Sequence, residues 1–190
     1  MRTLTYYVAT TLDGFIADPS GGTEFFPTEG DHMFHRIEEY PETLPVHVRD
    51  QLEVTAPGKH FDAVVMGRRT WEPSLSVGLT SAYPHLQQYV FSKTLQQSPD
   101  DTVTVVATDP LEYVRDLKKQ DGRGIWLCGG GTLAGELLSE IDELAVEVTP
   151  IITGNGIPLF RTGFEPQFFE LAESRVFDSG VVFNRFTTKA

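Results

Sequence analysis

Short runs of aromatic and β-branched residues recur along the chain, each ending against glycine, proline or a polar cluster, and they predict the elements. Leu4 to Thr10 reads as a first strand delivered to a turn at Leu12-Asp13-Gly14. Phe61 to Met66 is apolar throughout, as in a strand buried on both faces, and Gly67-Arg68-Arg69-Thr70-Trp71 follows as a helix start. Gln88 to Phe91 leads into Ser92-Lys93. Thr102 to Ala107 leads into Asp109, an N-cap, with Pro110 at the first helical position and Leu111, Val114 and Leu117 on one apolar face. Ile125 to Leu127 runs into a glycine triplet and a helix, and a further strand and a second glycine turn complete the stretch to Phe160.

Two helices are predicted earlier, over Asp31 to Tyr40, with Met33, Phe34 and Ile37 at helical spacing, and over Val46 to Leu52. The glycines and prolines from Asp13 to Gly30 predict a long loop. Gln167 to Leu171 and Val181 to Thr188 read as closing strands around an Asp178-Ser179-Gly180 hairpin turn. Strands followed by helices imply an α/β fold with a mixed, mostly parallel central sheet flanked by helices and a C-terminal antiparallel hairpin. In such sheets ligands gather at the carboxyl ends of the strands.

Composition narrows the function more than the fold. The chain has 190 residues, 40% of them hydrophobic and 22% charged, which suits a single domain with its own core. A net charge of −12 argues against nucleic-acid and anionic-membrane partners, which need a basic face. The lone Cys128 excludes an internal disulfide framework, and the start shows neither a signal peptide nor a membrane span, so a cytoplasmic setting is expected. His32 and His35 stand three apart, but no third ligand or metalloprotease motif accompanies them, and no metal is expected. Cys128 lacks a histidine partner and reads as a small buried residue.

Four carboxyl-end loops carry groups suited to an anionic dinucleotide: Ala9 with the Gly14 loop, Gly67-Arg68-Arg69-Thr70, Ser92-Lys93, and Gly129-Gly130-Gly131-Thr132. Glycines admit a close backbone approach, a helix start offers unpaired N–H groups, and arginines grip phosphate through forked hydrogen bonds. The usual G-x-G-x-x-G fingerprint is absent after the first strand. A glycine triplet alone is equally compatible with a tight turn.

Met66-Gly67-Arg68-Arg69-Thr70-Trp71-Glu72 and Cys128-Gly129-Gly130-Gly131-Thr132-Leu133 resemble signatures of the dihydrofolate reductase fold. Leu12 to Ala17, and Ile141 to Leu144 with Pro150, Gly154, Gly156 and Pro158 to Phe160, more closely resemble the branch related to the C-terminal reductase domain of bacterial riboflavin-synthesis proteins. The resemblance runs from Val8 to Phe160 and implies a dihydrofolate reductase-like domain that takes NADPH. It implies that Ala9 and Ile16 line the nicotinamide pocket. Gly67, Arg68, Arg69 and Thr70 would hold the pyrophosphate and 2′-phosphate region, Ser92 and Lys93 the adenosine phosphate. Gly129, Gly130, Gly131, Thr132 and Leu133 would form a second phosphate cradle, with a cis Gly129-Gly130 peptide.

On the substrate side the resemblance offers Asp31 as a catalytic carboxylate, although a helix-start charge explains it equally well. Asp13, Trp71 and Phe160 are candidate pocket walls. The pterin-facing threonine of folate reductases falls on Val148, with Thr149 one place off. The resemblance therefore implies an NADPH-dependent reductase of a small heterocycle, similar to a 5-amino-6-(5-phosphoribosylamino)uracil reductase of riboflavin biosynthesis. A dihydrofolate reductase and a catalytically silent NADPH-binding module are the alternatives, and homodimerisation is expected by fold analogy.

Overall fold

In a computed structural model describing residues 1–164 and 166–189, the first apolar run is strand from end to end: β1 (Leu4–Thr10). Its alternation divides the core. Leu4 and Tyr6 point to one face with β3 (Phe61–Gly67) residues Ala63 and Val65 and β6 (Gly124–Gly129) residues Ile125 and Leu127. Tyr7, Val64, Met66 and Trp126 point to the other. The first face is covered by α4 (Pro110–Lys119) and α5 (Gly131–Glu136), through Val114, Leu117, Leu133, Ala134 and Leu137. The second carries Tyr40, just after α1 (Asp31–Glu39), and Trp71 of α3 (Arg68–Ser76). α2 (Val46–Gln51) has no fully buried residue.

With β4 (Gln87–Phe91), β5 (Val103–Val106), β7 (Glu143–Val148), β9 (Phe169–Val176) and β10 (Val182–Thr188), the sheet has eight strands in the order β5-β4-β3-β6-β1-β7-β10-β9. The six strands from β5 to β7 are mutually parallel, and β10 runs antiparallel to both β7 and β9. This is the expected mixed sheet, and it sets the carboxyl ends of β1, β3, β4, β6 and β7 along one edge. Asp109 caps α4 as its position before Pro110 predicts, its Oδ1 accepting from Leu111 N at 2.9 Å and Glu112 N at 3.1 Å.

The structure departs from the sequence reading at two places. The long loop after Asp13 contains β2 (Phe15–Ala17), paired with β8 (Ile157–Pro158) as a small second sheet. The closing strand β9 runs on to Val176 rather than stopping at Leu171, because as an edge strand it is exposed from Glu170 onward and carries no apolar alternation to read. At the opposite, amino-end edge, Asp142 gathers both ends of the chain: Leu4 N donates to its carboxylate at 2.7 Å, and Thr188 N donates to its backbone oxygen at 3.0 Å. Among the described residues no helix is long and apolar enough to cross a membrane.

Candidate active site

The carboxyl ends of β3 and β6 lie side by side, with Met66 in register with Gly129. The glycines that follow meet backbone to backbone: a Cβ added to Gly67 would stand 3.8 Å from both Gly129 O and Gly130 N. Gly129 has φ +132°, a conformation that favours glycine, and the Gly129-Gly130 peptide is cis, as the resemblance implied. Thr70 Oγ1 lies 3.5 Å from where a Gly130 Cβ would sit, so the first turn of α3 closes on this floor. Gly67 caps α3 without any side-chain hydrogen bond, leaving the first N–H groups of the helix for an anion.

The other residues of the triplet region do different work. A Gly131 Cβ would lie 2.1 Å from Pro158 O, and a Gly135 Cβ 2.1 Å from Arg161 O, so these glycines let α5 lie against the strap from Pro158 to Arg161. Arg161 N donates to Gly131 O at 2.8 Å. The Leu133 side chain is in the core, which leaves only its backbone to face a ligand, and Thr132 is exposed.

Of the cations, Arg68 is engaged. Its Nε meets Glu72 Oε1 at 2.6 Å and its Nη1 donates to Thr94 Oγ1 at 2.8 Å, tying α3 to the loop after β4. Ser92 Oγ accepts from Leu95 N at 3.0 Å and shapes that loop. Arg69 and Lys93 are exposed and form no ion pair among the described residues. Glycine floor, uncapped helix start and two free cations fit a dinucleotide phosphate.

On the substrate side the structure engages two of the candidate residues in hydrogen bonds and buries a third. Asp31 is not poised as an acid: it accepts Asp178 N at 2.7 Å and Ser179 N at 3.1 Å. Partial burial raises its pKa, but these backbone donors outweigh that and hold the carboxyl below its ordinary range. Asp13 accepts Thr11 Oγ1 at 2.6 Å and Gly154 N at 2.7 Å, chiefly the threonine hydroxyl holding it low, so it fastens two loops together. Trp71 is 2% exposed and packs within the core. Phe160 is half-buried, edge-on to Tyr6 at 5.4 Å.

Ala9 and Ile16 are half-buried, Ala9 in register with Glu147 and Ile16 on the β2–β8 strap. Val148 pairs with Thr10, and the adjacent Thr149 hydroxyl is spent on Thr10 O at 2.9 Å. His32 lies 3.0 Å from Ser179 Oγ and His35 3.2 Å from Arg175 Nη1, and no group of three or more metal-ligating side chains occurs among the described residues.

Sequence reasoning missed the polar cluster beside this edge. The Tyr7 hydroxyl donates to Glu147, Arg36 Nη2 pairs with the other Glu147 oxygen, and Arg36 Nε lies 3.1 Å from Tyr7 Oη. Burial pushes the Tyr7 hydroxyl well above its usual pKa. Alongside, the lone thiol, Cys128, is pushed up to about 12 by burial, so it stays protonated. The available signal was Glu147 itself, an acid interrupting the apolar alternation of a central strand, 2% exposed.

The family model for the RibD C-terminal domain matches residues 2–183. The uncharacterized protein YwjB of Bacillus subtilis strain 168 is 30% identical over 167 residues, covering 84% of this chain and 83% of YwjB. YyaP of the same organism, also uncharacterized, is 28% identical over 183 residues, covering 95% and 92%. The crystal structure of a putative riboflavin biosynthesis protein from Shewanella sp. PV-4 superposes with a TM-score of 0.74 at 25% identity over 100% of both chains. A diaminohydroxyphosphoribosylaminopyrimidine deaminase/5-amino-6-(5-phosphoribosylamino)uracil reductase from Thermotoga maritima shares the fold, with a TM-score of 0.64 at 15% identity over 99% of this chain and 57% of that one.

Proposed function

The chain belongs to the RibD C-terminal domain family, and on that premise we propose that it is an NADPH-dependent reductase of a small heterocyclic substrate of the ribosylaminopyrimidine type. The observation that carries this reading is the glycine floor of Gly67 against Gly129-Gly130 beneath the uncapped start of α3. Bound NADPH supplies the hydride. The chain supplies placement. The three glycines admit phosphate oxygens to backbone distance, the α3 N–H groups donate to them, and Arg69 and Lys93 balance their charge. Ala9 and Ile16 border the nicotinamide, and Phe160, braced on Tyr6, stands at the substrate side.

Neither Asp31 nor Glu147 is a free carboxylate, since backbone N–H groups saturate one and Tyr7 and Arg36 the other. The proton that completes reduction therefore comes from water or from the substrate's own groups. The dihydrofolate reductase alternative loses support for the same reason, because its pterin needs an unengaged acid beside the nicotinamide.

Calorimetry with NADPH, paired with NADPH oxidation followed at the nicotinamide absorbance, tests the proposal. Binding with oxidation by a ribosylaminopyrimidine supports it. Binding without turnover on pyrimidines or dihydrofolate identifies a silent module instead, and absence of NADPH binding overturns both.

A further inference from the structure

At the substrate side Asp13, Asp31 and Glu147 are all engaged, whereas Arg36 keeps a donor group that is not. Glu147 sits in register with Ala9 on the neighbouring strand, so the side chains of the two lie on the same face of the sheet, with Tyr7 two residues back along β1. Ala9 itself is followed by Thr10, which pairs with Val148 at the carboxyl ends of the two strands. The Arg36–Glu147–Tyr7 cluster therefore adjoins Ala9, the residue proposed above to border the nicotinamide.

Within the cluster, Arg36 uses Nε toward Tyr7 Oη at 3.1 Å and Glu147 Oε1 at 3.4 Å, and Nη2 toward Glu147 Oε2. Nη1 has no partner among the described residues. The Glu147 side chain is 3% exposed and the Arg36 side chain 26%, so Arg36 is the charged member that solvent reaches. A guanidinium donates and never accepts. Glu147 and Tyr7 fix its plane and neutralise its charge, leaving the Nη1 amino group oriented and unengaged.

We infer that Arg36 orients the substrate by donating from Nη1 to an acceptor oxygen, a carbonyl or carboxylate, on the heterocycle beside the nicotinamide. The inference rests on the reductase reading for the location of the pocket. Its consequence is selectivity: a ring edge that presents oxygens is held, whereas a protonated amidine edge, which presents only N–H donors and a positive charge, meets a donor and is rejected.

The test uses the full chain, apo and NADPH-loaded, titrated with orotate and with 2,4-diaminopyrimidine by ligand-observed NMR. Orotate is expected to bind at least about tenfold more tightly, the worth of one charge-assisted hydrogen bond. Arg36→Lys should narrow that preference. Arg36→Met combined with Glu147→Gln removes the cation without stranding a buried carboxylate, and should bring the two ligands to parity while NADPH affinity is retained. Equal or tighter binding of 2,4-diaminopyrimidine to the wild type, no binding of orotate, or a preference surviving the double substitution overturns the inference. Failure of the wild type to bind NADPH sinks the reductase reading by a separate measurement, and the apo titrations still judge Arg36.

Discussion

Asp31 accepts the backbone N–H of Asp178 at 2.7 Å and so fastens the start of α1 to the turn of the β9–β10 hairpin, across 147 residues of chain. A carboxylate with that duty is a fastener. Asp31→Asn should lower the thermal midpoint and leave the NADPH Kd and the rate of NADPH oxidation within about twofold of wild type, as for a site with no transition-state contact. A collapse of kcat with an unchanged midpoint would restore Asp31 as an acid. Its folded pKa lies below the unfolded value, so its contribution is present above about pH 3.9 and is lost as pH falls through the folded value.

His35 sets an earlier acid limit. Burial, then the Arg175 guanidinium, lower its pKa, and it is 5% exposed between Phe183 and Phe177. For a histidine kept neutral by the fold, the unfolded chain binds the extra proton, so stability is complete above about pH 6.5 and declines as pH falls toward the folded value. Thermal midpoints measured from pH 7.5 to 5 should fall in the wild type and flatten in His35→Phe. An equally steep decline in the variant would move the effect elsewhere.

Two glycine substitutions should separate folding from cofactor binding. A Gly131 Cβ would be 2.1 Å from Pro158 O, a backbone atom that cannot step aside, so Gly131→Ala should cost about 3 kcal/mol or more of stability. Gly67 has φ −74° and its Cβ would meet nothing nearer than 3.8 Å, so Gly67→Ala should fold as well as the wild type. It fills the cradle, however, and should weaken NADPH about tenfold or more, equivalent to one lost phosphate hydrogen bond. Calorimetry and urea denaturation on both proteins check the pair, and undiminished NADPH affinity in Gly67→Ala would dismantle the cradle.

Arg69 and Lys93 should act as phosphate charges, Arg68 as a brace. Arg69→Ala and Lys93→Ala are each expected to cost about 1–2 kcal/mol of NADPH affinity, with a loss that shrinks as salt rises. Arg68→Ala releases Glu72 and Thr94 and should also raise the mobility of the loop after β4, visible as faster amide exchange at Thr94 and Leu95.

The fold was legible because its information is local. Leu4 to Thr10, Phe61 to Met66 and the Asp109-Pro110 helix start all announce themselves within a few residues, and strands followed by helices signal a mostly parallel sheet, whereas the strand order, including β4 beside β5 with no helix between them, is set by long-range pairing. The glycine floor was legible because it is made of glycines standing in short motifs. The Tyr7–Glu147 contact spans 140 residues, and no pattern within a window reveals it. Asp31 misled for the same reason: its position on α1 is local, but its partners lie on a hairpin at the far end of the chain.

Asp142, which holds Leu4 and Thr188 together, has a practical consequence. Leu4 and Thr188 stand at the strand ends opposite Gly67 and Gly129, so the hydrogen bonds that hold the amino-end edge of the sheet can be altered at Asp142 without entering the mouth of the site.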